Sequence, residues 1–291
     1  MITASQFYKS IFDCKIYKVS ISAGCTCPNR DGTKSTGGCI FCSEKGSGDF
    51  ATSARLSIKE QVESGKKLVQ HKNKGGKYIA YFQNFTNTYG DAQKLIDKYQ
   101  EALEQPDVVG ISIATRPDCL QPQILQYLSK ISQSTFVQVE LGLQTSNPIT
   151  GQLINRCYTN QDFISAVESI HQSAPNIHIV THIIFGLPGE TQTNMLDSIT
   201  FAVEHQTNGI KMSCLHVLKN TKLAEMYNQG KFQVLEMNQY FDILEKALKL
   251  IPPQTIIHRL TGDGPKSQLI APLWTANKKL VLSELNKLIK S

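Results

Sequence analysis

The chain of 291 residues contains no run of the ~18 apolar residues that a membrane-spanning helix requires, so no part of it is read as crossing a bilayer. Its first residues, from Met1 to Lys9, hold no apolar stretch of signal-peptide length, and a cytoplasmic location is expected. Tryptophan occurs once, and neither internal repeats nor low-complexity segments stand out. Charge of one sign does not dominate: 30 basic against 24 acidic residues give +6, which permits contact with a polyanion without requiring it. The eight cysteines are too few for this length to form a disulfide framework, a device of small secreted domains. What remains, 41% apolar and 19% charged, is an ordinary globular composition, enough for one large α/β domain or two small ones.

The cysteines are unevenly placed. Cys25, Cys27, Cys39 and Cys42 fall in one glycine-rich polar stretch, and the last two form a Cys-x-x-Cys pair. Thiolates select zinc or iron–sulfur over hard cations. Structural zinc takes four ligands, whereas an iron–sulfur cluster held by three leaves one iron open to another molecule. Cys27, Cys39 and Cys42 make a loop of three needing an outside ligand. With Cys25 added, a four-thiolate zinc site is the alternative, although Cys25-x-Cys27 is tighter than the usual knuckle.

Short β-branched runs alternate with helical stretches. Strands are expected at Lys15–Ser22, Tyr78–Gln83, Val108–Ala114, Phe136–Gln144, His178–Phe185 and Ile210–Leu218. Helices are expected from about Ser57 and over Asp91–Leu103, Gln121–Ile131, Asn160–His171 and Thr193–Glu204. This order indicates βαβ units and a parallel sheet, with the active site at the carboxyl ends of the strands. The cysteine loop, Gln83–Tyr89, Thr115–Asp118, Gln144–Ser146, Gly186–Glu190 and His216 all fall at that end. Residues 1–219 are read as the core and 220–291 as an extension, with a helix at Leu235–Leu250, a short strand at Thr255–Leu260 and a basic helix from about Asn277.

Six βα units with a three-cysteine loop after the first strand resemble the radical S-adenosylmethionine (SAM) superfamily. The eleven residues between Cys27 and Cys39 depart from its commonest spacing. They are similar to the elongator catalytic-subunit branch, and to a short bacterial family marked by Cys-Pro-Asn-Arg-Asp-Gly, the string at residues 27–32. Thr115–Leu120, Glu140–Gln144, Ile154-Asn155-Arg156 and Phe185–Glu190 also match. The resemblance implies a partial (βα)6 barrel with a C-terminal α/β extension, in which Cys27, Cys39 and Cys42 hold a [4Fe-4S] cluster and SAM ligates its open iron. An electron from a flavodoxin or ferredoxin would cleave SAM to a 5′-deoxyadenosyl radical that takes a substrate hydrogen. Family members include an enzyme that converts 5-carboxymethylaminomethyl-uridine to aminomethyl-uridine at the tRNA wobble position, which makes tRNA the expected substrate.

By the same resemblance Phe41 stands beside adenine, Arg156 meets the SAM carboxylate, and the glycines after Phe185, Gly186 among them, let the backbone approach adenine. Gln83 and Thr86 occupy the place of the Gly-Gly-Glu turn that usually binds the SAM amino group; that turn is absent here. His182 stands where relatives carry an acidic ribose contact, and His216 ends the sixth strand. Glu140 and Gln144 alternate with Gly142 on one strand face, so a carboxylate and an amide are expected to face the cofactor. Tyr81, Glu140 and Arg116 are the candidate catalytic residues. Cys25 is expected to be a spare thiol. A small-metabolite radical SAM enzyme and a zinc-stabilised binding protein are the other readings. Lysines near residues 66–77 and in the last helix are available for RNA phosphate.

Overall fold

The structure, a computed structural model, describes residues 1–46, 48 and 51–290. Its strands are β1 (Ile2–Thr3), β2 (Ile16–Ile21), β3 (Lys77–Phe82), β4 (Val108–Thr115), β5 (Phe136–Gln144), β6 (His178–Phe185), β7 (Gly209–Cys214), β8 (Val217–Leu218), β9 (Ile256–Arg259) and β10 (Leu269–Ala271). The longer helices are α1 (Ala4–Phe12), α2 (Ile58–Val69), α3 (Ala92–Leu103), α4 (Pro122–Ile131), and, past the short α5 (Pro148–Leu153), α6 (Asn160–Ser173) and α7 (Gln192–Glu204). After the short α8 (Lys222–Asn228) come α9 (Met237–Leu250) and α10 (Lys278–Lys290). Among the described residues no helix is long and apolar enough to cross a membrane.

One sheet of eight parallel strands, ordered β1-β9-β7-β6-β5-β4-β3-β2, curls into a partial barrel. The alternation of side chains decides its two faces. In β5, Val137, Val139, Leu141 and Leu143 join the hydrophobic core under the helices, while Glu140, Gly142 and Gln144 line the barrel interior. Likewise Tyr78, Ala80 and Phe82 of β3 join the same core under the helices, and Tyr81 and Gln83 face inward. Each large apolar side chain fully buried on the outer face contributes about 1.5–3 kcal/mol. Helix starts follow local chemistry: Ser57 with Glu60, Thr159 with Asp162 and Thr191 with Asn194 each form a capping box.

The six expected strands and the partial barrel are present, with three differences. The expected strand Ile210–Leu218 is two strands: β7 ends at Cys214, and β8 turns away to pair antiparallel with β10. The segment read as an extension supplies β9 to the main sheet, and β9 in turn accepts β1. Helix α1, not anticipated, lies at the amino ends of the strands, where Phe7 stacks on His178 at 4.5 Å and Tyr8 OH donates to Gln138 Oε1 at 2.8 Å. The carboxyl ends stay open, and that is where the cavity lies.

Candidate active site

A cavity of about 290 Å³ opens at the carboxyl ends of the strands. Cys27, Phe41 and the Cys39/Cys42 pair form one wall, and residues from β3 through β9 form the others. The cysteine loop is held by its own backbone: Arg30 and Asp31 N–H donate to Cys27 O, and Cys42 N–H donates to Cys39 O. Gly38 has φ +85° and lies under the Arg30 side chain, whose Nε would stand 2.9 Å from any Cβ there; only glycine meets both conditions. Arg30 then donates to Cys42 O at 3.1 Å and Ser43 O at 2.5 Å, closing the loop. Cys25 does not line the cavity; it packs against the hydrophobic core. Among the described residues no three His, Cys, Asp or Glu side chains converge on a position for a single metal ion.

Two motifs distant in sequence brace this loop. Asn29 Nδ2 donates to Asn155 O at 2.6 Å and to Arg156 O at 3.1 Å, and reaches Cys39 Sγ at 3.7 Å. Asn155 Nδ2 returns a bond to Gly38 O at 2.8 Å, and Ile40 N–H donates to Ile154 O. Arg156 is buried outside the cavity wall, its guanidinium donating to Leu143 O, Thr145 O, Tyr158 O and Asn160 Oδ1. With four of its five donors on these acceptors and its side chain off the cavity wall, Arg156 ties the loops together in this structure. Arg116 does line the cavity. It grips Asp118 bidentately at 2.9 Å and donates from Nη1 to Arg156 O at 3.0 Å and Cys27 Sγ at 3.9 Å. Burial disfavours its charge, but the paired Asp118 outweighs burial and raises its pKa.

Below the cysteines the barrel interior is polar. Glu140, 1% exposed, accepts from Lys18 Nζ (2.7 Å), Ser112 Oγ (2.9 Å) and Gln138 Nε2 (2.7 Å) on one oxygen. Its other oxygen accepts from Tyr81 OH (2.8 Å), His182 Nε2 (2.5 Å) and Lys211 Nζ (2.9 Å). Burial opposes ionisation of Glu140, yet Lys18 and Lys211, with His182, hold its carboxyl well below the usual range. Burial, with Lys211 alongside, lowers His182 to about 4, and burial lowers Lys211 to about 8 against the pull of Glu140. Burial and then the Glu140 charge raise the Tyr81 phenol. A carboxylate accepting six hydrogen bonds has no lone pair left for a substrate proton, so Glu140 anchors this network.

Gln83, Gln144, His182 and His216 all line the cavity. Gly142 leaves room for Gln144, whose Nε2 would lie 2.7 Å from a Cβ at 142. The His216 ring is lodged between Gly262 and Gly264, where a Cβ would meet it at 2.8 and 3.0 Å, and burial lowers its pKa to about 4. Its Nε2 is buried without a hydrogen-bond partner among the described residues. Thr86 and Gly186 are not on the cavity wall: Thr86 is buried at the base of its loop, and Gly186 packs under Leu235, 3.1 Å from where a Cβ would stand. Arg259 and Asp263, expected from the sequence to sit at the barrel mouth, line the wall, and Lys211 reaches it unanticipated. The signal for Lys211 was present, since a lysine inside a strand of a parallel sheet covered on both faces must be buried with a partner.

The family model for the radical SAM superfamily matches residues 26–202, and one for a radical SAM C-terminal domain matches residues 207–291. The chain is 41% identical over 285 residues to the uncharacterized protein YtqA of Bacillus subtilis, covering 98% of this chain and 88% of that protein. It is 25% identical to the tRNA-2-methylthio-N(6)-dimethylallyladenosine synthase of Fusobacterium nucleatum, over 56% of this chain and 39% of that protein. The solved structure of archaeal Elp3 from Methanocaldococcus infernus superposes with a TM-score of 0.66 at 14% identity, over 93% of this chain and 63% of that one, a likeness of fold. With a superfamily model spanning most of the curled sheet and a cysteine loop at its carboxyl end, the chain belongs to the radical SAM superfamily, whose members use a [4Fe-4S] cluster and SAM.

Proposed function

We propose that this enzyme modifies tRNA, removing the carboxymethyl part of 5-carboxymethylaminomethyl-uridine at the wobble position to leave aminomethyl-uridine. The observation that carries the chemistry is the cavity at the carboxyl ends of the strands, one wall of which is Cys27, Cys39 and Cys42. These thiols suit a [4Fe-4S] cluster: three of them leave one iron open, and N–H groups of Asn29 and Arg116 already point at two of the sulfurs. Burial pushes the Cys39 thiol up to about 12, a penalty on the bare thiolate that bonding to iron removes. When bound, the cluster and SAM supply a 5′-deoxyadenosyl radical, with the electron from a flavodoxin or ferredoxin.

The chain's own residues orient and enclose. Phe41, Gln83, Gln144, His182 and His216 surround the space for SAM, and the Glu140 network holds Tyr81 and His182 in place beneath it. The tRNA substrate is supported by the Cys-Pro-Asn-Arg-Asp-Gly resemblance and by the tRNA-modifying relative from Fusobacterium. Mass spectrometry of wobble-uridine nucleosides in tRNA from a strain lacking the gene tests it. Accumulated 5-carboxymethylaminomethyl-uridine with loss of aminomethyl products is the expected result. An unchanged profile would reject the tRNA role and direct the search to small metabolites.

A further inference from the structure

Around Glu140, at and beneath the cavity floor, positive charge exceeds negative. Two ammonium groups, Lys18 and Lys211, share the one carboxylate of Glu140, at 2.7 and 2.9 Å. The remaining partners of that carboxylate add no negative charge, since burial keeps His182 and Tyr81 neutral. An ammonium has three donors. Lys211 spends one on Glu140 and one on Tyr81 OH at 3.0 Å, and its third has no protein acceptor among the described residues. Its side chain keeps 14% exposure, on the cavity wall. Arg259, its neighbour in the sheet register, brings a guanidinium to the same wall, where Asp263 pairs with it at 2.7 Å. Two residues further along their strands from Ser112, Glu140 and Lys211 stand Ala114, Gly142 and Ser213, all small and all lining the cavity, so the space above Lys211 is open.

A buried charge in excess of its partners is unfavourable until an opposite charge joins it. We propose that Lys211, with Arg259 beside it, is an anion subsite that takes a carboxylate, and that the carboxylate is the substrate's. The choice of the carboxymethyl group rests on the function proposed above. It would then hang into the barrel with its acid end on Lys211, fixing the neighbouring carbon and nitrogen against the SAM space. A second carboxylate, that of SAM itself, would be held at the other side of the cavity, where Cys27, Cys39 and Cys42 would hold the cluster.

Binding of the nucleoside 5-carboxymethylaminomethyl-uridine and of its methyl ester to the SAM-loaded, cluster-reconstituted protein separates the two sources. A charge-assisted hydrogen bond on a desolvated site makes the acid bind roughly tenfold to a hundredfold more tightly than the ester in the wild type. Lys211→Met erases that preference, whatever the loss of its bond to Glu140 does to SAM binding. Arg259→Met, at the cavity rim and outside the Glu140 network, reduces the preference; this second variant keeps the test decisive should Lys211→Met not fold. Equal binding of acid and ester by the wild type overturns the proposal. So does a Lys211→Met protein with weakened SAM binding and an intact acid preference, because the subsite would then belong to SAM. Acetate against acetamide provides an arm independent of the tRNA reading. If tRNA nucleosides are unchanged in the deletion strain while the wild type still favours acetate and Lys211→Met does not, the subsite stands and only the tRNA assignment falls.

Discussion

Replacing Glu140 by glutamine keeps the shape of the barrel floor and removes the negative charge that Lys18 and Lys211 share. Removing one partner of a buried ion pair costs about 3–5 kcal/mol, because the remaining charge is left uncompensated. The two lysine side chains keep 25% and 14% exposure, so water relieves part of the penalty and the lower figure applies, about 3 kcal/mol. At about 2–4 °C per kcal/mol this lowers the thermal midpoint at pH 7 by about 6–12 °C. The pH profile gives a second readout. The folded carboxyl lies well below its unfolded value, so its stabilisation is complete above about pH 4.3 and is lost as pH falls through the lower folded pKa. Wild-type protein therefore loses this part of its stability on acidification below that point, and Glu140→Gln, having none of it, shows a flatter profile there. Thermal denaturation from pH 3 to 7 measures both. A midpoint within about 2 °C of wild type, or an unchanged acid slope, would refute the account of Glu140 as the anchor of two buried cations.

Cys39→Ala should lose the visible absorbance of the reconstituted cluster and all reductive cleavage of SAM while its far-ultraviolet circular dichroism stays native; full cleavage activity would sink the ligand assignment. Asn29→Ala removes the donor that binds Asn155 O and Arg156 O and points at Cys39 Sγ, leaving Arg156 O with the Arg116 bond and Asn155 O with only a weak thiol donor from Cys157. A loss of about 1–3 kcal/mol in stability and faster bleaching of the cluster by a chelator are expected, and wild-type bleaching kinetics would contradict a bracing role.

Local periodicity and spacing were enough to read much of this molecule. β3 to β6 and helices α2, α3, α4, α6 and α7 lie within two residues or so of their expected places, because alternation of period two and amphipathic period 3.6 are properties of neighbours along the chain. The cysteine loop and the face shared by Glu140, Gly142 and Gln144 were legible for the same reason. What sequence could not reveal was what each polar side chain meets. Lys18 lies 122 residues from Glu140 and Lys211 lies 71, and only the curl of the sheet brings them onto one carboxylate. That convergence gives Glu140 six hydrogen-bond donors that no local pattern announced. It also brought an unremarked strand lysine, Lys211, onto the cavity wall. Arg156 followed the same rule in the opposite direction: its position in the motif suggested a cofactor contact, but the fold encloses it among the carbonyls of β5 and the following loop. Hydrogen-bond partners at such separations depend on how the chain closes in three dimensions, and the sequence carries no local pattern that records it.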